Sequence, residues 1–82
     1  MGFLGIDVSK ATLDWAKVAT ADGDVLAEGS VPNTKRGIAT LVAAHAADEL
    51  TLIVVEATGA YHRPLLAALV AAALPVSLVH PL

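Results

Sequence analysis

Two acidic side chains stand where their apolar neighbours argue for an interior. Asp7 lies in the run GFLGIDVSKATLD among Phe3, Leu4, Ile6 and Val8, and Glu56 stands next to the end of the run TLIVVEA. An ionised carboxylate is costly to bury unless a cation, a hydrogen-bond donor or a metal answers it. Two carboxylates brought together at strand ends disfavour each other's ionisation unless a cation intervenes, and hard oxygen donors of this kind suit magnesium or manganese. A second reading needs no metal: Asp7 accepts backbone N–H groups in the DVSK turn, and Glu56 pairs with Lys10 or Arg63. Spacing alone leaves both open, because structural ion pairs hold acids in similar places.

The elements that must position these acids follow from periodicity and punctuation. Phe3 to Val8 reads as a short strand, and TLDWAKVAT and DVLAEGSV as two more, separated by a turn signal at Asp22 to Asp24. Strands joined so closely pair antiparallel. After Pro32, Asn33 or Thr34 caps a helix whose apolar stripe runs through Ile38, Leu41, Val42 and Leu50, with His45 between, and which ends near Glu49. TLIVVEA is apolar on both parities, the habit of a central, parallel strand covered on both faces. Thr58, Gly59 and Pro64 mark a turn and a helix start. That helix, through Leu65, Leu66, Leu69 and Val70, stops before Pro75, and VSLVH forms a last strand. The order predicts an α/β fold: a mixed five-stranded sheet in which the first strand lies beside TLIVVEA. Asp7 and Glu56 then project into one space at the carboxyl ends of the strands, where open α/β sheets place their sites.

Bulk composition narrows the function classes. Eighty-two residues make one small domain, and a hydrophobic share of 56% with 16% charged residues excludes a disordered chain. The absence of cysteine removes disulfide and thiolate-metal chemistry and fits a cytoplasmic setting. MGFLGIDVSK has neither the basic start nor the apolar core of a signal peptide, and the greasy tract PLLAALVAAALPVSLVHPL is interrupted by Pro75, so no membrane span is expected. A net charge of −3 argues against gripping nucleic acid through a general electrostatic field, while leaving room for an acidic catalytic site in a larger nucleic-acid enzyme.

Four blocks in order, GIDVSKATLD, GSVPNTKRGIATL, VVEATGAYHRPLLAAL and PVSLVHP, resemble the amino-terminal part of the DEDD-type insertion-sequence transposases, the insertion sequence one-hundred-ten family, which are similar to RuvC in their ribonuclease-H-like fold. The likeness covers residues 1–82 almost throughout. It implies that Asp7 and Glu56 are the first two acids of a metal-binding tetrad whose remaining aspartates, in a D-x-x-D arrangement, lie farther along the family's chain, as does a carboxyl-terminal domain with a serine implicated in strand exchange. A complete member is expected to cut and rejoin DNA, guided in some members by a structured RNA, with divalent ions activating an attacking oxygen and stabilising a leaving one. With half a tetrad, the 82 residues are expected to hold Mg2+ or Mn2+ weakly and to be inactive alone. Ala60 stands where a second glycine is usual, and His80 where asparagine commonly precedes the proline.

Other residues carry weaker signals. Lys10, Tyr61 and Arg63 are candidate nucleic-acid contacts, Tyr61 by stacking and the cations by holding phosphate, although isolated basic residues at turns are usually just solvated. Asp14 is not counted as a metal ligand, His45 reads as a core-edge histidine, and Trp15 is expected to pack on the sheet. Two rival functions remain: the amino-terminal lobe of a sugar-kinase or actin-like ATPase, which also opens with a G-x-D strand, and an assembly module without chemistry. Leu65, Leu66, Leu69, Val70 and Leu74 are too many for one helical stripe, which predicts a homodimer through the region 65–82.

Overall fold

The computed structural model describes residues 2–20, 23–47, 50–57 and 59–79. Seven elements follow one another: β1 (Gly2–Val8), β2 (Thr12–Val18), β3 (Val25–Pro32), α1 (Lys35–His45), β4 (Leu50–Ala57), α2 (Arg63–Ala71) and β5 (Val76–Val79). They form the mixed sheet expected from the sequence, in the order β3-β2-β1-β4-β5. β1, β2 and β3 pair antiparallel, whereas β4 pairs parallel with β1 and with β5.

The crossovers from β3 through α1 to β4 and from β4 through α2 to β5 both advance toward the same edge of the sheet. Right-handed connections running in one direction place both helices on one face. That face holds the core. Leu4, Ile6 and Val8 of β1, Leu13 of β2, and Ile53 and Val55 of β4 meet Ile38 and Leu41 of α1 and Leu65 and Leu69 of α2 in one buried cluster. The opposite face carries no helix among the described residues. Leu52 and Val54 are therefore half-buried rather than enclosed, which corrects the expectation that β4 is covered on both sides. Apolar residues on both parities of a strand mark a central position, and here a central position came with cover on one face only.

The ends of the helices explain where the sequence misled. Thr34, not Asn33, caps α1: its Oγ1 accepts the Gly37 N–H at 3.0 Å. α1 ends at His45 rather than near Glu49, and Leu50, assigned to its apolar stripe, instead begins β4 and pairs with Gly2. Strand pairing outweighs the helical periodicity there. Gly37 is buried where α1 crosses the end of β3, and a Cβ on it would run into the Pro32 carbonyl oxygen. On β2, Trp15 is half-buried, lies against Gly29 of β3 and meets the His45 ring edge-on at 4.8 Å. His45 is buried, and its Nδ1 lies 2.9 Å from the Leu41 carbonyl. A carbonyl only accepts, so that nitrogen carries the proton.

α2 absorbs more of its aliphatic residues than a single stripe promised. Leu65 and Leu69 are fully buried, Leu66 and Leu74 are half-buried, and Val70 remains 61% exposed. The helix closes with the Leu74 N–H on the Leu69 carbonyl and the Ala73 N–H on the Val70 carbonyl, and Ala73 takes a left-handed conformation with φ 57°. Asp22, Glu49, Thr58 and His80, which the sequence reading gave turn, helix-end or motif roles, lie outside the described residues. No helix among the described residues is long and apolar enough to cross a membrane.

Candidate functional site

The turn after β1 is short, and it fixes what stands opposite what. The Ser9 N–H donates to the Thr12 carbonyl at 3.0 Å, and the Thr12 N–H donates to Ser9 Oγ at 3.1 Å. This closure sets the hairpin register so that Asp7 faces Asp14. On the other side the parallel ladder places Asp7 opposite Glu56. Parallel neighbours lie about 4.8 Å apart, and register partners share a face of the sheet. A single row therefore crosses all five strands on the uncovered face: Ser30, Asp14, Asp7, Glu56 and Val79, each exposed. Asp7 and Glu56 are each the penultimate residue of their strands, at the carboxyl ends.

The next row back is built of small residues. Gly5, Ala16 and Val54 lie beside Glu28, and together with Asp7, Asp14 and Glu56 they line a shallow concavity of about 520 Å³. A Cβ on Gly5 would meet nothing nearer than 4.0 Å, so its missing side chain contributes open space rather than relieving a clash. The hollow is acidic, open and shallow.

These positions answer what the acid in β1 is doing. Asp7 is not buried: the alternation of the strand turns it to the face the helices leave open, while Ile6 and Val8 go inward. The metal-free reading fares poorly. The DVSK turn closes through Ser9 and Thr12, and among the described residues none makes a side-chain hydrogen bond or ion pair with Asp7 or Glu56. Two hard carboxylates on neighbouring strands fit part of the shell of a divalent cation such as magnesium, which keeps several waters and uses one or two protein carboxylates. No group of three or more acidic, histidine or cysteine side chains among the described residues is arranged to hold a metal. Asp14 shares the hollow without completing a ligand set.

Of the candidate nucleic-acid contacts, Lys10 is exposed in the turn after β1, Tyr61 is 48% exposed in the turn after β4, and Arg63 is exposed at the first position of α2. All three sit at the end of the sheet where Asp7 and Glu56 lie. The positive φ in the turn after β4 falls on Gly59, at +69°, and Ala60 needs none, so the departure from a second glycine brings no backbone strain. Two features escaped the sequence reading. Asp14 and Glu28 line the same hollow, which the tight Ser9–Thr12 turn, by fixing the pairing, makes legible in retrospect. Asn33 joins the two turns, a contact across 24 and 28 residues that leaves no local signature.

The five-stranded mixed sheet in the order β3-β2-β1-β4-β5 with two helices on one face is the ribonuclease-H-like fold. The transposase family of the DEDD type, insertion sequence one-hundred-ten, matches residues 4–82, and the chain belongs to that family. Among solved structures it is similar to T. thermophilus RuvC in complex with Holliday junction substrate, with TM-score 0.72 and 18% identity over 99% of this chain and 65% of that one. It is also similar to the Listeria monocytogenes Lmo2764 protein, assigned as an N-acetylmannosamine kinase, with TM-score 0.68 and 15% identity over 98% of this chain and 35% of that one. The Aquifex aeolicus PPX-GPPA enzyme follows at TM-score 0.51 and 12% identity. No curated protein matches the chain by sequence. The 82 residues thus span less than two thirds of each structural relative.

Proposed function

We propose that Asp7 and Glu56 are metal-binding acids of a transposase that cuts and rejoins DNA in the cytoplasm. The observation that carries this is their register pairing on the open face, at the carboxyl ends of β1 and β4, with no ion pair to either carboxylate among the described residues. Mg2+ or Mn2+ suits these donors, and when bound it supplies activation of an attacking oxygen and stabilisation of a leaving one on a phosphodiester. The chain itself contributes an acidic hollow and a net charge of −3, so a phosphate backbone approaches this face only where cations offset the repulsion. Lys10, Tyr61 and Arg63 flank that end and are the groups we assign to DNA, or to a structured guide RNA, in the complete protein. Two acids hold an ion weakly, and the 82 residues alone are inactive in this reading.

Homo-oligomers fit the same picture. Val25 and Leu26 on the edge strand β3, Val70 on α2 and Val79 on the edge strand β5 stay exposed, and an uncovered edge invites a second chain. Sedimentation at micromolar concentration checks this, and a monomer there removes it.

The deciding experiment is a Mn2+ titration followed by the broadening of backbone amide signals. Broadening centred on the ends of β1 and β4 and lost in both Asp7→Asn and Glu56→Gln supports the assignment; broadening spread over the surface, or unchanged in the variants, overturns it. Magnesium-dependent nucleotide binding would favour the kinase reading instead, although the Ser9 N–H and hydroxyl that a phosphate loop would offer are already spent on Thr12. Incubation of the 82 residues with a four-way DNA junction and Mg2+ or Mn2+ is expected to yield no cleavage, and cleavage abolished by Asp7→Asn would show that the two acids suffice.

A further inference from the structure

The ladder that holds Asp7 beside Glu56 ends one residue beyond them, at Val8 and Ala57. Past that point the two chains diverge, one into the hairpin turn Ser9–Ala11 and the other into the turn that leads to α2. The Asn33 side chain reaches both. Asn33, directly after β3, donates from Nδ2 to the Ser9 carbonyl at 2.9 Å and to the Tyr61 carbonyl at 3.1 Å. Its own backbone N–H donates to the Ala11 carbonyl at 2.9 Å. Both side-chain partners are carbonyl oxygens, which only accept, so the amide nitrogen must face them and both of its hydrogens are used. Thr34 caps α1, and the Asn33 carboxamide is thereby committed to these two turns rather than to the helix.

We propose that Asn33 is a positioning residue that locks the turn after β1 to the turn after β4, and so fixes the ends of the two strands that carry Asp7 and Glu56. The part of this that concerns the carboxylates rests on their reading as metal-binding acids. Neither carboxylate is held by another side chain among the described residues, so their backbone supports matter more than usual. Of the parallel strands that end here, β1, β3 and β4 lead into connections, and Asn33, at the end of β3, is bonded to those leaving the other two. Lys10 follows Ser9 directly and Arg63 follows Tyr61 by two, so the same lock sets the spacing of the rim.

The test compares the wild-type chain with Asn33→Ala, which removes the donors, and Asn33→Asp, which keeps the shape and turns a carboxylate toward two carbonyls. Amide hydrogen exchange at Ser9 and Arg63 reports each turn, because these amides close them onto Thr12 and Ala60. Loss of one or two such bonds is expected to speed exchange at both sites about fivefold in Asn33→Ala and more in Asn33→Asp, with core amides such as Ile53 unchanged once global stability is matched. The Mn2+ midpoint at the ends of β1 and β4 is expected to rise about threefold in Asn33→Ala, a smaller effect than loss of a direct ligand support. Faster exchange in only one turn, or in neither, overturns the lock. Faster exchange in both with an unchanged Mn2+ midpoint overturns its hold on the carboxylates. Absence of any Mn2+ response in the wild type defeats the metal reading, and the exchange rates then decide the lock by themselves.

Discussion

The two faces of this sheet are made by the same strands, and they do opposite things. On β1, Leu4, Ile6 and Val8 point under the helices while Gly5 and Asp7 point away, and on β4 Ile53 and Val55 point inward while Val54 and Glu56 do not. Alternation thus assigns every second residue to holding the fold and leaves the others for chemistry. A carboxylate flanked by aliphatic neighbours is consequently neither buried nor anomalous; it belongs to the other face. One substitution changes one function at a time.

The sharpest attempt to break that division is a neighbouring pair on β4. Ile53 has no exposed surface, and its truncation to alanine is expected to cost about 2–5 kcal/mol, most of the stability of a domain this small. Val54, next along the strand but on the open face, is expected to cost at most about 1 kcal/mol on truncation. Urea unfolding of Ile53→Ala and Val54→Ala measures both. Equal losses would mean that the open face is covered in solution, as it would be if a second copy docked there.

Gly37 tests how firmly the covered face is closed. Alanine there gains helix propensity worth at most about 1 kcal/mol but must displace the Pro32 carbonyl, so a net loss of about 1–2 kcal/mol is expected. A stabilised Gly37→Ala would show that α1 does not seat on the end of β3.

Much of this was legible beforehand, and the failures share a cause. The seven elements, their order, the sheet and the adjacency of Asp7 and Glu56 follow from turn residues, period-2 runs and the handedness of crossovers. What sequence periodicity lacks is a partner. It marked β4 as central from Leu52, Ile53, Val54 and Val55 without saying that both helices would settle on one side, and it lent Leu50 to α1 when pairing with Gly2 claimed it for β4. Asn33 before Thr34 reads as one of two possible caps. Its bonds to Ser9 and Tyr61 exist only once the strands have brought three connections together.

A milder change should strengthen the covered side and leave the open one alone. Ala73 ends α2 in a left-handed conformation that glycine adopts without the Cβ penalty, while Leu74 packs back on the core. Ala73→Gly is expected to add about 0.5–1 kcal/mol. Its melting temperature should rise and its Mn2+ response should match the wild type; a shift in that response would mean that α2 and the acidic row are coupled.

The smallest expected change in stability belongs to the residue with the largest proposed role. Asp7 stands between Asp14 and Glu56 in the exposed row, and like charges directly opposite one another on a sheet destabilise it. Asn at this position keeps the shape and removes the charge at the centre of the row. Solvent screening keeps the gain small, about 0.5 kcal/mol or less, and added salt should erase it. Asp7→Asn is thus expected to be as stable as the wild type, or slightly more so at low ionic strength, while losing the Mn2+ response. Unfolding curves at low and high salt settle the sign. A clear destabilisation would mean that Asp7 supports the fold and that the division between the two faces fails at its central residue.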